Sequence, residues 1–343
     1  MSGDQADHSA LVAAAVRALE AKTGAKVARV AARLTGRSLV VACEVAAPVD
    51  GLRRHRRIVL KTLRPDPAMP SWEMPPRSVA VDFETLSAVH RHGRLSGGLV
   101  AALPEPLVLL SDPTTLVMSF VGERPLRNLP AGAAPWVLPD GLWSGLSALE
   151  GAEIRTPTVS SDQECDRADA CAAWFAERPA RADAAGLSVD AIATALKAFQ
   201  PRPTHPIVRH GDLTAANIMA GPDGLAFVDI ADVSVGDATL DLASIWISLA
   251  IEADTAPSMA PVFEHLARAF ATEWQRRRAL DQNNLAFFMI RTAAKYLSWV
   301  IDEQMRSANG PPEPVRARIS AARAWLVNLS RVERAVSEIG SLS

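Results

Sequence analysis

Between residues 10 and 22 the apolar side chains Leu11, Val12, Ala15, Val16 and Leu19 recur at helical spacing, and Gly24 follows as a stop. The texture then changes to three short Val-rich runs, 27–34, 38–45 and 57–63, separated by Thr35-Gly36 and by the segment 48–56. These read as consecutive antiparallel strands. A Pro-rich stretch at 65–76 leads into a second helical pattern over 78–92, with Asp82, Leu86 and Val89 on one face and Gly93 at its end. Two further strands, 107–110 and 115–120, flank the turn Ser111-Asp112-Pro113-Thr114. Beyond Gly122 the helical period dominates, at 142–150, 163–177, 189–199, 240–252, 260–275, 284–307 and 314–339. One island of strand character, 207–228, interrupts it. The pattern predicts an α+β chain of two parts: an antiparallel sheet with a helix over 1–120, and a mainly helical part over 121–343.

Composition narrows the class. The 343 residues are 49% hydrophobic and 22% charged, with a net charge of −2, too apolar and too balanced for intrinsic disorder. With 36 basic against 38 acidic residues, bulk charge gives no reason to expect nucleic acid or an anionic membrane as partner. Cys43, Cys165 and Cys171 form no C-x-x-C pair, which predicts a reduced compartment and no thiolate zinc site. The opening MSGDQADHSA carries two Asp where a leader needs basic residues, and the longest apolar runs fall far short of the roughly 20 residues that span a bilayer. The expectation is a soluble, cytoplasmic protein without repeats; oligomeric state is not legible.

The island carries the chemistry. It reads Val208-Arg-His210-Gly-Asp212-Leu-Thr-Ala-Ala-Asn217-Ile-Met219, then Leu225-Ala-Phe-Val-Asp229-Ile, then Gly236-Asp237-Ala-Thr-Leu-Asp241. Apolar residues bracket Asp212, Asn217 and Asp229, so each falls at the end of a short buried strand. Three oxygen donors without Cys or paired His favour a hard cation, Mg²⁺ or Mn²⁺. The spacing H-x-D-x-x-x-x-N, with an Asp after an apolar triplet about a dozen residues on, is that of a kinase catalytic loop and its metal-binding Asp. Phosphoryl transfer needs this set: one carboxylate for the attacking hydroxyl, and a second carboxylate plus an amide oxygen for the metal.

On these residues the chain resembles the aminoglycoside phosphotransferase/choline kinase-like superfamily, whose signature HGDLHxxNxL is followed by xIDWxxAxxGDPxxDLA. Val59-Leu-Lys61 is similar to the family's third-strand lysine motif, and 116–122 to the strand entering its hinge. The resemblance implies a bilobal protein-kinase-like fold, with the hinge near 119–122, and phosphorylation of a small-molecule hydroxyl by ATP or GTP with Mg²⁺. Carried over, Asp212 is the catalytic base, and Asn217 and Asp229 are the metal ligands. Lys61 holds the donor's α/β-phosphates, and Met118 backs the purine pocket, with the Ser119 and Val121 backbones bonding the base. Gly36 and Ser38 stand where the phosphate-closing hairpin falls. The lysine's partner is Asp82 by alignment, where the family usually has Glu; Glu84 is the alternative, on a different helix face. Thr214 replaces the family's His, and Ile230 its Trp.

Simpler readings apply to the neighbours. His210 is expected to be a buried hydrogen-bonding scaffold, and Asp237 and Asp241 to brace the loop and cap the next helix. The acceptor is expected to be an antibiotic, with a choline-, sugar- or nucleoside-like metabolite as the alternative. The near-neutral charge does not call for a polycationic acceptor.

Overall fold

Alternating burial along the strands gives the N-terminal sheet two apolar faces, and each is covered by one helix. The computed structural model describes residues 3–34, 38–46, 52, 55–63, 78–95, 102–122, 124–129, 139–221, 224–306 and 313–342. Strands β1 (Val27–Leu34), β2 (Ser38–Val45), β3 (Arg57–Leu63), β4 (Pro106–Ser111) and β5 (Thr114–Ser119) form one antiparallel sheet in the order β1-β2-β3-β5-β4. Leu39, Val41, Ile58, Leu60 and Val117 point to one face, where they bury Ala15 and Leu19 of α1 (Gly3–Thr23). Leu116 and Met118 point to the other, against Val79, Leu86 and Val89 of α2 (Val79–Leu95). Each such side chain removed from water contributes about 1.5–3 kcal/mol. Helix α1 ends as expected at Gly24, whose φ of +71° only glycine adopts readily. Helix α2, by contrast, runs through Gly93 to Leu95, because Gly93 is buried in its packed face and does not turn the chain.

The remainder is mainly helical. A two-residue strand β6 (Arg124–Pro125) leads to α3 (Pro139–Gly151), α4 (Ser161–Ala176), α5 (Pro179–Ala184) and α6 (Val189–Lys197). The island follows as β7 (Ile207–Arg209), β8 (Ile218–Gly221), β9 (Gly224–Phe227) and β10 (Ser234–Gly236). Strand β8 pairs with β6 and β9, and β10 with β7. The chain closes with α7 (Thr239–Thr255), α8 (Ala260–Arg277), α9 (Gln282–Arg306), α10 (Glu313–Val327) and α11 (Leu329–Gly340). Helix α7 is buried on nearly every side, packed by α8, α9 and α10, as expected of an apolar helix without a polar stripe. The helix expected over 314–339 is two helices. Asn328 leaves helical geometry (φ −119°, ψ 79°) and its side chain accepts the Arg331 N–H, so a capping Asn starts α11. The short α5 has no counterpart in the sequence pattern. Among the described residues, no helix is long and apolar enough to cross a membrane.

Candidate active site

A tight hairpin sets the first part of the site. Ile218 pairs with Phe227 across β8 and β9, so Asn217 and Val228 meet just below the hairpin, where the Val228 N–H donates to the Asn217 carbonyl at 2.8 Å. Asp229, the next residue, has φ 62° and ψ 67°, a left-handed conformation that costs a non-glycine residue about 1–3 kcal/mol and concentrates at functional sites. Beside the hairpin, β7 delivers His210, Gly211 and Asp212. Gly211 has φ +84°, and a Cβ there would collide with the Asp232 carbonyl. The loop is held from below by Asp241, whose carboxylate accepts the N–H groups of His210 and Gly211, each at 2.8 Å. Burial pushes the Asp241 pKa up, against the opposing pull of His210 and these N–H donors. His210, fully buried, reaches the Val228 carbonyl through Nε2 at 3.1 Å and so ties the loop to the hairpin. Asp237, one residue before the N-cap Ala238 of α7, accepts the Thr239 N–H at 2.8 Å.

The lysine end is built from the sheet and α2. Arg57, Val59 and Lys61 alternate onto one face of β3, and Lys61 donates to Asp82 Oδ2 at 3.1 Å and Asp229 Oδ1 at 2.8 Å. The Lys61 and Asp82 side chains are 6% and 1% exposed, while Glu84 lies on the exposed face of α2. Burial alone would lower the Lys61 pKa. The Asp229 and Asp82 carboxylates outweigh it and hold the ammonium above the usual lysine range.

At the other end stands Asp212. Asn217 Nδ2 donates to its Oδ2 at 2.8 Å and to its carbonyl at 2.9 Å. The other carboxylate oxygen accepts from Lys295 Nζ of α9 at 3.0 Å, and Lys295 also lies 3.5 Å from Asp232. Both oxygens are thereby aimed. Lys295 was not foreseen. Its signal is that Arg291 and Lys295 are isolated charges in an otherwise apolar stretch of α9, and charges in such a setting need partners. Arg291 finds Glu164 of α4, which also pairs with Arg209 of β7; all three are buried, and burial lowers the pKa of both arginines.

Of the other expected residues, Met118 pairs directly with Val59 and shares the Lys61 face of the sheet. The Ser119 N–H donates to the Glu105 carbonyl (2.8 Å) and its hydroxyl accepts the Glu105 N–H (2.7 Å), so a ligand would meet Ser119 through its carbonyl. Val121 lies against Gly221, where a Cβ would strike the Val121 carbonyl; the glycine lets this segment close onto the hairpin. Ser38 is buried on the face it shares with Val40, the cross-strand partner of Lys61. Gly36 lies outside the described residues.

Asn217 and Asp229 fit a hard cation. The Asn217 amide nitrogen is committed to Asp212, which leaves its oxygen as a donor, and the Asp229 side chain is 46% exposed. Among the described residues no cluster of three or more His, Cys, Asp or Glu forms a self-sufficient metal cage. Two protein oxygens suit an ion that keeps waters and phosphate oxygens, as Mg²⁺ does.

Residues 95–280, more than half of the chain, match the phosphotransferase enzyme family. The chain belongs to that family, and its class is that of the phosphotransferase enzymes. No curated protein matches it in sequence. Among solved structures, it is similar to a thermostable mutant of aminoglycoside phosphotransferase APH(4)-Ia in ternary complex with AMP-PNP and hygromycin B. There the identity is 16% and the TM-score 0.56, covering 91% of this chain and 97% of the other. It is also similar to spectinomycin phosphotransferase APH(9)-Ia in complex with ADP and spectinomycin, at 11% identity and TM-score 0.51, covering 94% and 98%. At such identities the likeness establishes the kinase-like fold. Lys61 and Asp82 lie outside the family match, and it is the tertiary contact with Asp229 that joins them to it.

Proposed function

We propose that this protein, in the cytoplasm, transfers the γ-phosphoryl group of ATP or GTP to a hydroxyl of a small molecule. One observation carries the reading: a single hairpin base offers Asn217 to Asp212 and Asp229 to Lys61, each at 2.8 Å. Asp212 accepts the proton of the attacking hydroxyl as its oxygen bonds to phosphorus and the bond to the leaving diphosphate breaks. Lys61, steadied by Asp82, holds the donor's α/β-phosphates. Asn217 and Asp229 hold Mg²⁺, which when bound offsets phosphate charge. Met118 closes the back of the base pocket, and the Ser119 carbonyl and Val121 backbone bond the base. Gly36 and Ser38 belong to the hairpin over the phosphates. In this reading 1–120 grips the donor, 119–122 is the hinge and 121–343 takes the acceptor.

The acceptor we favour is an antibiotic, inactivated by O-phosphorylation, in keeping with the hygromycin B and spectinomycin complexes of the structural neighbours. A metabolic kinase acting on a choline-, sugar- or nucleoside-like acceptor is the second reading. Lys295 favours it, since it partly neutralises Asp212, the carboxylate nearest the reaction in this reading. Asp212→Asn is expected to lower kcat by about 10²–10⁴-fold with donor affinity retained. Asp229→Ala is expected to abolish Mg²⁺-dependent nucleotide binding in calorimetry. An Asp212 variant within about tenfold of wild type would remove it as the base.

A further inference from the structure

Helix α9 turns one face toward the proposed base. Lys295, Trp299 and Asp302 are four and seven positions apart and share that face. The Lys295 ammonium lies 3.0 Å from Asp212 Oδ1, and 5.3 Å from the centre of the Trp299 ring. A short chain of contacts thus links carboxylate, ammonium and indole. Trp299 is 44% exposed, whereas the other described tryptophans (143, 174, 246, 274 and 325) are all buried. This exposed indole, one helical turn from Lys295, offers an apolar face beside the ammonium that meets the proposed base.

The charges around it are matched. Lys295 faces Asp212 and Asp232, and Arg167 from α4 also acts on Asp232. Asp302 takes Arg181 Nε of α5 at 2.7 Å. Among the described residues, an incoming ammonium group would meet carboxylates already paired with Lys295, Arg167 and Arg181. Like-charge contacts of this kind disfavour a cationic partner. A ring without charge meets no such barrier, and an aromatic base stacked on an indole gains contact that needs no charge.

Resting on the phosphotransfer reading, we propose that Lys295 and Trp299 form the acceptor subsite, and that it takes an uncharged, ring-bearing hydroxyl compound of the sugar or nucleoside type. Lys295 is a positioning residue: it aims Asp212 Oδ1 while Asn217 aims Oδ2, and it repels cationic acceptors. Trp299 carries the acceptor's ring and so brings its hydroxyl to Asp212. Polycationic aminoglycosides fall outside this class.

The test uses the full chain with Mg²⁺ and either ATP or GTP. Donor consumption is measured with methyl glucoside, uridine and adenosine as uncharged acceptors and kanamycin as the polycation. Turnover of at least one uncharged compound, and background only with kanamycin, is the expected result. For the best acceptor, Trp299→Ala is expected to raise acceptor KM about tenfold or more, the scale of a lost stacking contact, with donor KM held. Lys295→Met is expected to lower kcat about 10²-fold, again with donor KM held, and Lys295→Arg to recover part of the loss. A merely structural role for Lys295 would move donor and acceptor parameters together. Kanamycin turned over faster than every uncharged ring overturns the proposal. So does an unchanged acceptor KM in Trp299→Ala, or a protein that binds nucleotide in calorimetry yet phosphorylates none of the uncharged rings. Failure to bind either nucleotide would instead remove the phosphotransfer reading, and this subsite with it.

Discussion

The Lys61 ammonium lies 2.8 Å from the carboxylate of Asp229, a residue 168 positions further along the chain. This contact joins the N-terminal sheet to the end of the β8–β9 hairpin, and Asp82 holds the same ammonium from α2. Three elements distant in sequence therefore share one charge cluster, in which Lys61 and Asp82 are buried and Asp229 opens to solvent.

That cluster makes a prediction about pH. The Lys61 pKa is raised, since its two carboxylates outweigh the cost of burial. A raised lysine pKa adds stability that is fully present below the unfolded value of about 10.4 and is lost as pH rises through the folded value. The gap in Tm between wild type and Lys61→Met is expected to stay level from about pH 7 to about pH 10 and to narrow above that. Thermal melts across this range decide it; a gap that widens at alkaline pH contradicts the pairing.

Asp82 and Glu84 sit two residues apart with opposite surroundings, the first 1% exposed against Lys61, the second on the outer face of α2. Asp82→Ala is expected to raise donor KM and lower kcat, together worth about 1–3 kcal/mol. Glu84→Ala is expected to stay within about 0.5 kcal/mol of wild type. Steady-state kinetics with varied nucleotide measures both, and a silent Asp82 beside a critical Glu84 would reverse the assignment.

Glu164 is buried between Arg209 and Arg291, each of which it pairs with. Removing it takes the shared carboxylate from two buried guanidinium groups, so Glu164→Ala is expected to cost about 3–5 kcal/mol of stability. Denaturant unfolding at neutral pH reads this directly. A loss under about 1 kcal/mol would mean the network relaxes or is reached by water.

Gly211 combines φ +84° with no room for a Cβ beside the Asp232 carbonyl. Gly211→Ala is expected to lose about 1–3 kcal/mol from backbone strain alone and more from the clash. Because Asp212 is the next residue, kcat is expected to fall even at temperatures where the variant remains folded. Circular dichroism beside kinetics separates the two effects, and wild-type kcat in a folded variant would show that the loop tolerates the shift.

Much of the site was legible because its logic is short-range. Strand alternation placed Val59 and Lys61 on one face, and the helical period placed Asp82 with Leu86 and Glu84 away from them. The spacing from His210 to Asn217 marked a loop between two short strands, which is where β7 and β8 put it. The break at Asn328 was missed although its signal is local, a capping Asn, because apolar periodicity continues across it.

Periodicity states which face a residue occupies, and this follows from the covalent chain; capping and turn residues only offer stops, taken at Gly24 and passed over at Gly93. They do not state which two faces meet. That Lys295 reaches Asp212 across 83 residues, and that Glu164 takes both Arg209 and Arg291, depends on how α4 and α9 pack together and meet β7 and the loop after it. A buried charge requires a partner of opposite sign, but any of several carboxylates meets that requirement until the helices are docked. The partner is chosen by packing, because only the assembled core fixes the few ångströms within which such a pair forms.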